Sequence, residues 1–188
     1  MNTIKVITIL ICTILCAAVS AQEQLYNVSR TFHESGFTYR ADVMPGGTVV
    51  LFNANNRHDF HQRQTFRDGS PLSAEDIRGG LGAVVTPRIS TAIPTVTNIV
   101  RNALSPAERQ RVGDWPLIVR MYVNQEATTP QSVTEVKFTF STNSPFATLP
   151  VSVYRQIELE IKRQVRFAPT ASGRNLNFVV VGFPVRVN

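Results

Sequence analysis

Apolar residues recur along this chain with two different periods in separate blocks, and that division most limits what it can fold into. A period of two marks strands and a period near 3.6 marks helices. A chain that carries runs of strands followed by helices and further strands is α+β, with helices laid on an antiparallel sheet. Tyr26, Val28, Arg30 and Phe32 alternate with Asn27, Ser29 and Thr31, and Phe37, Tyr39, Ala41 and Val43 alternate with Thr38, Arg40 and Asp42. Thr48-Val49-Val50-Leu51-Phe52 reads as a third strand buried on both faces. Ser35-Gly36 and Pro45-Gly46-Gly47 are turn sequences, because glycine accepts a positive φ and proline presets a turn's first corner. Residues 22–85 are therefore expected to form an antiparallel meander followed by a loop.

Asn53-Ala54-Asn55-Asn56-Arg57-His58 is too polar to continue a strand, and Asp68-Gly69-Ser70-Pro71 is a strong turn. Ser73 with Asp76 is suited to cap one helical turn through Ile77. Gly79-Gly80-Leu81-Gly82 to Pro87 reads as a connection, and the boundary of a second domain over 90–188 is placed there. In that second part Pro94 opens a helix whose Val96, Ile99, Val100, Ala103 and Leu104 share one face. Ser105-Pro106-Ala107-Glu108 has the form of a capping box, and Gly113 stops the short helix it starts. Leu117, Val119, Met121 and Val123 alternate with Ile118, Arg120, Tyr122 and Asn124, and Val136, Phe138 and Phe140 with Glu135, Lys137 and Thr139, which predicts two half-exposed strands. Pro150 opens another helix, with Val153, Tyr154, Ile157, Ile161 and Val165 inward and Arg155, Glu158, Lys162 and Arg163 mostly opposite. Leu176 to Val187 is the final strand, its Pro184 confined to an edge or to a place past the last pairing.

The first 21 residues are expected to be an export signal. Lys5 precedes the apolar run Val6 to Cys16, which is shorter than the about 20 residues a spanning helix needs. Ala17-Ala18-Val19-Ser20-Ala21 follows, with small residues where signal peptidase reads them, so cleavage is placed between Ala21 and Gln22. Cys12 and Cys16 are preceded by Ile11 and Leu15, which do not form a lipobox, so both cysteines leave with the signal. The remaining chain then has no disulfide and no thiolate metal site, and must rely on its core. Losing Lys5 lowers the formal charge from +6 to +5. The expected location is periplasmic or extracellular, and no later stretch is apolar enough to re-enter a membrane.

The order helix, strand, strand, helix, strand over residues 94–187 resembles the TonB C-terminal domain, in which a three-stranded antiparallel sheet packs on two helices. The residues that carry the resemblance are Leu117-Ile118-Val119-Arg120-Met121-Tyr122-Val123, then Val133 to Ser141, then Val165-Arg166-Phe167-Ala168-Pro169 with Gly173 after it, and last Phe183-Pro184-Val185. The longer, glycine-free Asn124 to Gln131 replaces the short acidic-glycine turn usual in that family, and the chain has neither the family's inner-membrane anchor nor its proline-rich spacer. Energy transduction is therefore not expected. The whole chain also resembles secreted proteins of unknown function from gut Bacteroidetes. The TonB-like resemblance implies an open sheet with an unpaired strand edge, able to accept an extended peptide by strand addition. Leu176, Phe178, Val180 and Gly182 are the expected pairing surface.

Other chemistry is less well supported by the sequence. His58, Asp59 and His61, with His33, are the densest possible metal ligands, but no H-E-x-x-H helix is present and arginines surround them. Gly79-Gly80-Leu81-Gly82 is followed by Pro87 rather than by a helix that could hold phosphate. Ser141 and Ser144 lack a nucleophile-elbow motif, and Glu158 and Glu160 are too close in sequence to face one another. No cofactor is called for and no catalysis is expected. The alternative to strand addition is anion binding through Arg57, Arg63 and Arg67 interleaved with Phe60 and Phe66, a pattern that grips an acidic glycan or lipopolysaccharide. A structural accessory subunit of an envelope complex is a third reading. The expected partner is thus another envelope protein or peptide, or an anionic glycan, and not nucleic acid.

Overall fold

The structure, a computed structural model, describes residues 24–58, 62–73 and 84–188. The expected cleavage site at Ala21 and Gln22, the two cysteines, Asp59, Phe60 and His61, the Ser73 cap's partner Asp76, and the Gly79 to Gly82 connection lie outside the described residues. The fold is α+β, built on one antiparallel sheet of six strands and a smaller one of three.

β1 (Arg30–Glu34), β2 (Phe37–Met44) and β3 (Thr48–Asn53) form the meander, joined by turns in which Ser35, Gly36, Gly46 and Gly47 take positive φ. Gly47 needs its missing side chain for a second reason: a Cβ there would lie 2.7 Å from Thr142 Oγ1. After β4 (Val85–Thr86) come α1 (Ile93–Ala103) and α2 (Pro106–Val112). The capping box forms as the sequence predicts: Ser105 accepts from the Glu108 amide and the Glu108 carboxylate accepts from the Ser105 amide. The remaining elements are β5 (Leu117–Val123), β6 (Gln131–Ser132), β7 (Glu135–Ser141), α3 (Val151–Gln164), β8 (Arg166–Pro169), α4 (Ala171–Arg174) and β9 (Val179–Val185).

The main sheet runs β1-β2-β3-β7-β5-β9, and the short strands pair as β4-β8-β6. The three strands of the second half do form a unit with β5 in the middle, but they do not stop as a sheet of three. β3 docks antiparallel on β7, with Leu51 opposite Phe138 and Val49 opposite Phe140. The regions expected on either side of residues 79–87 therefore share a sheet. They also share a core, in which Tyr39, Val49 and Leu51 are buried in one cluster with Phe138, Ile157 and Val181.

Helices α1 and α3 cover one face of this sheet. An aromatic group ties the amino-terminal end to it: Tyr26 packs edge-on to Phe140 at 5.4 Å and to Tyr154 at 5.9 Å, and donates its hydroxyl to the Leu149 carbonyl at 3.0 Å. Burying each such ring is worth about 1.5–3 kcal/mol, and the hydrogen bond removes the cost of an unpaired hydroxyl. No helix among the described residues is long and apolar enough to cross a membrane.

Two sequence expectations fail for one reason. β7 is not half-exposed, since Glu135, Lys137 and Thr139 are buried, and on β5 Ile118 and Arg120 keep partial exposure while Tyr122 is buried. Glu158, expected opposite the apolar face of its helix, has no exposed surface at all. Both follow from the meander joining the sheet. Its turn after β3 folds over the outer face of β5 and β7, and its β2 carries Tyr39 onto α3.

Candidate functional site

β9 is a terminal strand of the six-stranded sheet, so one of its edges faces away from β5. Pro184 lies opposite Ile118 and has no amide to give. In an antiparallel ladder, bonded and non-bonded pairs alternate, so Pro184, Gly182 and Val180 occupy the non-bonded positions and turn their main-chain groups outward. The Tyr122 carbonyl agrees with this parity: Tyr122 sits opposite Val180, yet its oxygen accepts from the Thr134 amide at 2.8 Å, on the β7 side. Among the described residues no strand pairs with that outer edge over Val180–Pro184.

Leu176 and Phe178, expected on the same edge, are not open. Residues 64–67 run beside 175–178: the Arg67 amide donates to the Asn175 carbonyl at 2.8 Å, and the Asn177 amide donates to Thr65 at 2.9 Å. Gln64 Nε2 fills the Phe178 carbonyl at 2.8 Å. The free edge is thus limited to Val180, Gly182 and the Pro184 carbonyl. Gly182 also provides room for Arg120, since a Cβ on it would lie 3.0 Å from Arg120 Cγ.

The arginines of the expected anion patch are split. Arg67 pairs with Glu126 at 3.1 Å, while Arg57 and Arg63 are exposed with no ion pair among the described residues. Phe66 does not stand between them as a platform; it bridges to Leu176 and packs on the core. His33 and His58 do not meet. His33, on β1, bonds Thr38 Oγ1 of β2 and lies four strands from β5, on whose Tyr122 His58 stacks, or roughly 19 Å at the usual strand spacing. The described residues contain no group of three or more metal-ligating side chains. Ser141 and Ser144 have local roles, each accepting a backbone amide of the turn that follows.

The densest polar constellation is one the sequence reading did not assemble. Glu135, at the start of β7, accepts the Arg57 amide at 2.8 Å, the His58 amide at 3.3 Å and His58 Nδ1 at 3.0 Å. Against a carboxylate, Nδ1 is the donor, which leaves Nε2 as the ring's free edge. The imidazole stacks on Tyr122 at 4.6 Å and touches Phe178 at 5.2 Å. Two residues along the same face, Lys137 is fully buried. Its ammonium donates to the His58 carbonyl and lies 5.2 Å from the Phe52 ring and 5.0 Å from Tyr122. The signal in the sequence was charge at alternate positions inside an apolar strand, Glu135 and Lys137, with a polar turn waiting elsewhere to cover them. This arrangement clamps the turn and does not offer a reactive group: the carboxylate is filled by three donors and the ammonium has no exposed surface.

The clamp shapes a cleft of about 600 Å³ at the end of the sheet, where Asn55, Arg57, His58, Gln125, Lys162 and Phe178 are among the lining residues. Gln125 Nε2 donates to the Gly173 and Leu176 carbonyls at 3.1 and 2.9 Å, while its Oε1 is buried with no partner.

Beneath the other face, Glu158 accepts from the Tyr39 hydroxyl, from Arg155 at 3.1 Å and from Lys162 at 2.5 Å. Burial pushes the Glu158 carboxyl up, but the hydrogen bonds from Lys162 and Tyr39 and the nearby cationic charges outweigh it and hold the group below its ordinary value. Burial first, then the Glu158 charge and hydrogen bond, push the Tyr39 phenol well above its ordinary value. Lys162 joins this network to the cleft, which it also lines.

No curated protein matches the chain in sequence. A solved structure is similar: the 1.85 Å crystal structure of a DUF5043 family protein from Bacteroides uniformis ATCC 8492 aligns with a TM-score of 0.74 and 27% identity, over 87% of this chain and 94% of that one. The family defined as a domain of unknown function, DUF5043, matches residues 22–183, and this chain belongs to it.

Proposed function

We propose that this protein is an exported, non-enzymatic binding module of the cell envelope that takes up an extended segment of another envelope protein by strand addition along Val180–Pro184. The observation that supports the reading is the outward turn of the main-chain groups of Val180 and Gly182 on a terminal strand with no neighbour among the described residues. An added strand would gain two amides and three carbonyls there, so side-chain pockets must supply much of the selectivity. The helix, strand, strand, helix, strand order over residues 93–185 supports keeping the TonB C-terminal likeness as part of this proposal, with the edge at β9 in place of both rims of a three-stranded sheet. Export rests on the reading of residues 1–21.

The test is Val180→Pro. Proline removes one outward amide and none of the bonds to β5, so a folded variant is expected. Crosslinking in the native envelope followed by mass spectrometry should lose its partner in the variant. A folded Val180→Pro protein that keeps every crosslink would end the strand-addition reading.

Anion capture is the second reading, favoured by the exposed and unpaired Arg57 and Arg63. Salt separates the two: charge-led binding weakens strongly between low and physiological ionic strength, and strand addition changes little.

A further inference from the structure

We infer that the cleft at the end of the six-stranded sheet is a binding site for a carboxylated sugar. The inference is independent of strand addition and shares only Arg57 with the anion patch. The size of the cleft falls within the roughly 300–1,000 Å³ usual for small-molecule sites, and it lies where loops from several elements converge.

Its lining is matched to an anion with hydroxyls. Among the described residues the one carboxylate in the lining, Glu135, already has three donors on its two oxygens, so it is spent on the turn. Arg57 stands at the cleft with its guanidinium unpaired among the described residues, a planar fork that fits a carboxylate in bidentate fashion. Lys162 adds a second positive charge, anchored by Glu158. For hydroxyls the cleft offers His58 Nε2 and the exposed side-chain amide of Asn55. The partly exposed ring of His58, backed by Tyr122 at 4.6 Å, gives the apolar surface that the C–H face of a sugar packs on. A bare inorganic anion would use the cations and leave the amide and the ring idle.

The experiment is an amide-resolved NMR titration of the whole folded protein at physiological salt, with galacturonic acid, its linear trimer, glucose and inorganic phosphate as probes. Galacturonic acid should shift the amides of Asn55, Arg57, His58 and Gln125, and glucose should not. A trimer that binds more tightly than the monomer identifies a polysaccharide end as the source, and equal affinities identify the free sugar; both support the site. Arg57→Gln should weaken binding about tenfold or more, as expected for loss of a charge-assisted hydrogen bond, and Asn55→Ala about threefold or more, as expected for loss of a neutral one. The double variant Arg63→Gln/Arg67→Gln should bind as the parent does. The inference is overturned if galacturonic acid shifts nothing at tens of millimolar, if phosphate competes on equal terms, or if Arg63→Gln/Arg67→Gln abolishes binding while Asn55→Ala does not weaken it. Because Arg57 and Asn55 are exposed, failure of either variant to fold is not expected, and Asn55→Ala provides a second, charge-neutral test.

Discussion

Replacing Glu158 by glutamine tests the most concentrated electrostatic feature of the core. The carboxylate has no exposed surface and accepts from Tyr39, Arg155 and Lys162. Glutamine keeps the shape and one acceptor, but loses the charge and turns an amide donor toward side chains that are themselves donors. Removing one partner of a fully buried ion pair costs about 3–5 kcal/mol. Here the two cationic side chains remain 28% and 29% exposed and can turn to water, so the loss lies nearer that of charged hydrogen bonds. At neutral pH about 2–3 kcal/mol is expected, and for a domain of this size the melting temperature should fall by about 5–10 °C.

The pH dependence is the sharper part of this test. The folded carboxyl is held below its ordinary value, so its contribution is complete above the unfolded glutamate value of about 4.3 and is lost as pH falls through the folded value. The stability gap between parent and Glu158→Gln should therefore be constant from pH 7 to 5. It should then narrow by up to about 1.4 kcal/mol per pH unit below about 4.3. Urea denaturation followed by circular dichroism, at pH 7, 5 and 3, measures both quantities. Tyr39→Phe is the control: it removes one donor, costs about 1–2 kcal/mol, and keeps the steepening in acid. If Glu158→Gln is as stable as the parent at pH 7, or if the two proteins lose stability in parallel down to pH 3, the reasoning is wrong.

Three further outcomes follow from local geometry. Gly173→Ala would place a Cβ 2.2 Å from the Val84 carbonyl oxygen, which also accepts the Thr170 amide at 2.8 Å, so backbone must move and about 1–3 kcal/mol should be lost in thermal melts. Glu135→Ala leaves the Arg57 and His58 amides and His58 Nδ1 without their acceptor; hydrogen exchange at those two amides should quicken about tenfold or more, and unchanged protection would mean the turn is held by other contacts. Ser105→Ala removes the reciprocal cap of α2 and should cost about 1 kcal/mol, read from the urea midpoint.

What local pattern could encode was legible, and what depended on distant pairing was not. The alternation of Phe37 to Val43 and the glycines at 46 and 47 fix a hairpin within about ten residues, and Ser105 with Glu108 fixes a cap within four. Each of these forms as read. Nothing in either stretch says that Leu51 will lie opposite Phe138, because a strand's period sets which faces are apolar and does not name the neighbour. That one pairing changes the meaning of several side chains at once. Glu158 reads as solvated on a helix beneath a sheet of three strands, and becomes interior when β2 brings Tyr39 over it. Glu135 and Lys137 read as the wet side of a strand, and become the clamp of a cleft when the turn after β3 closes on them. A carboxylate that looks solvent-facing in a helix or strand pattern is therefore a weak guide until the sheet order is known. The residues most affected by that order here, Glu135, Lys137, Glu158 and Tyr39, are the ones whose substitution should separate this arrangement from any other with the same local elements.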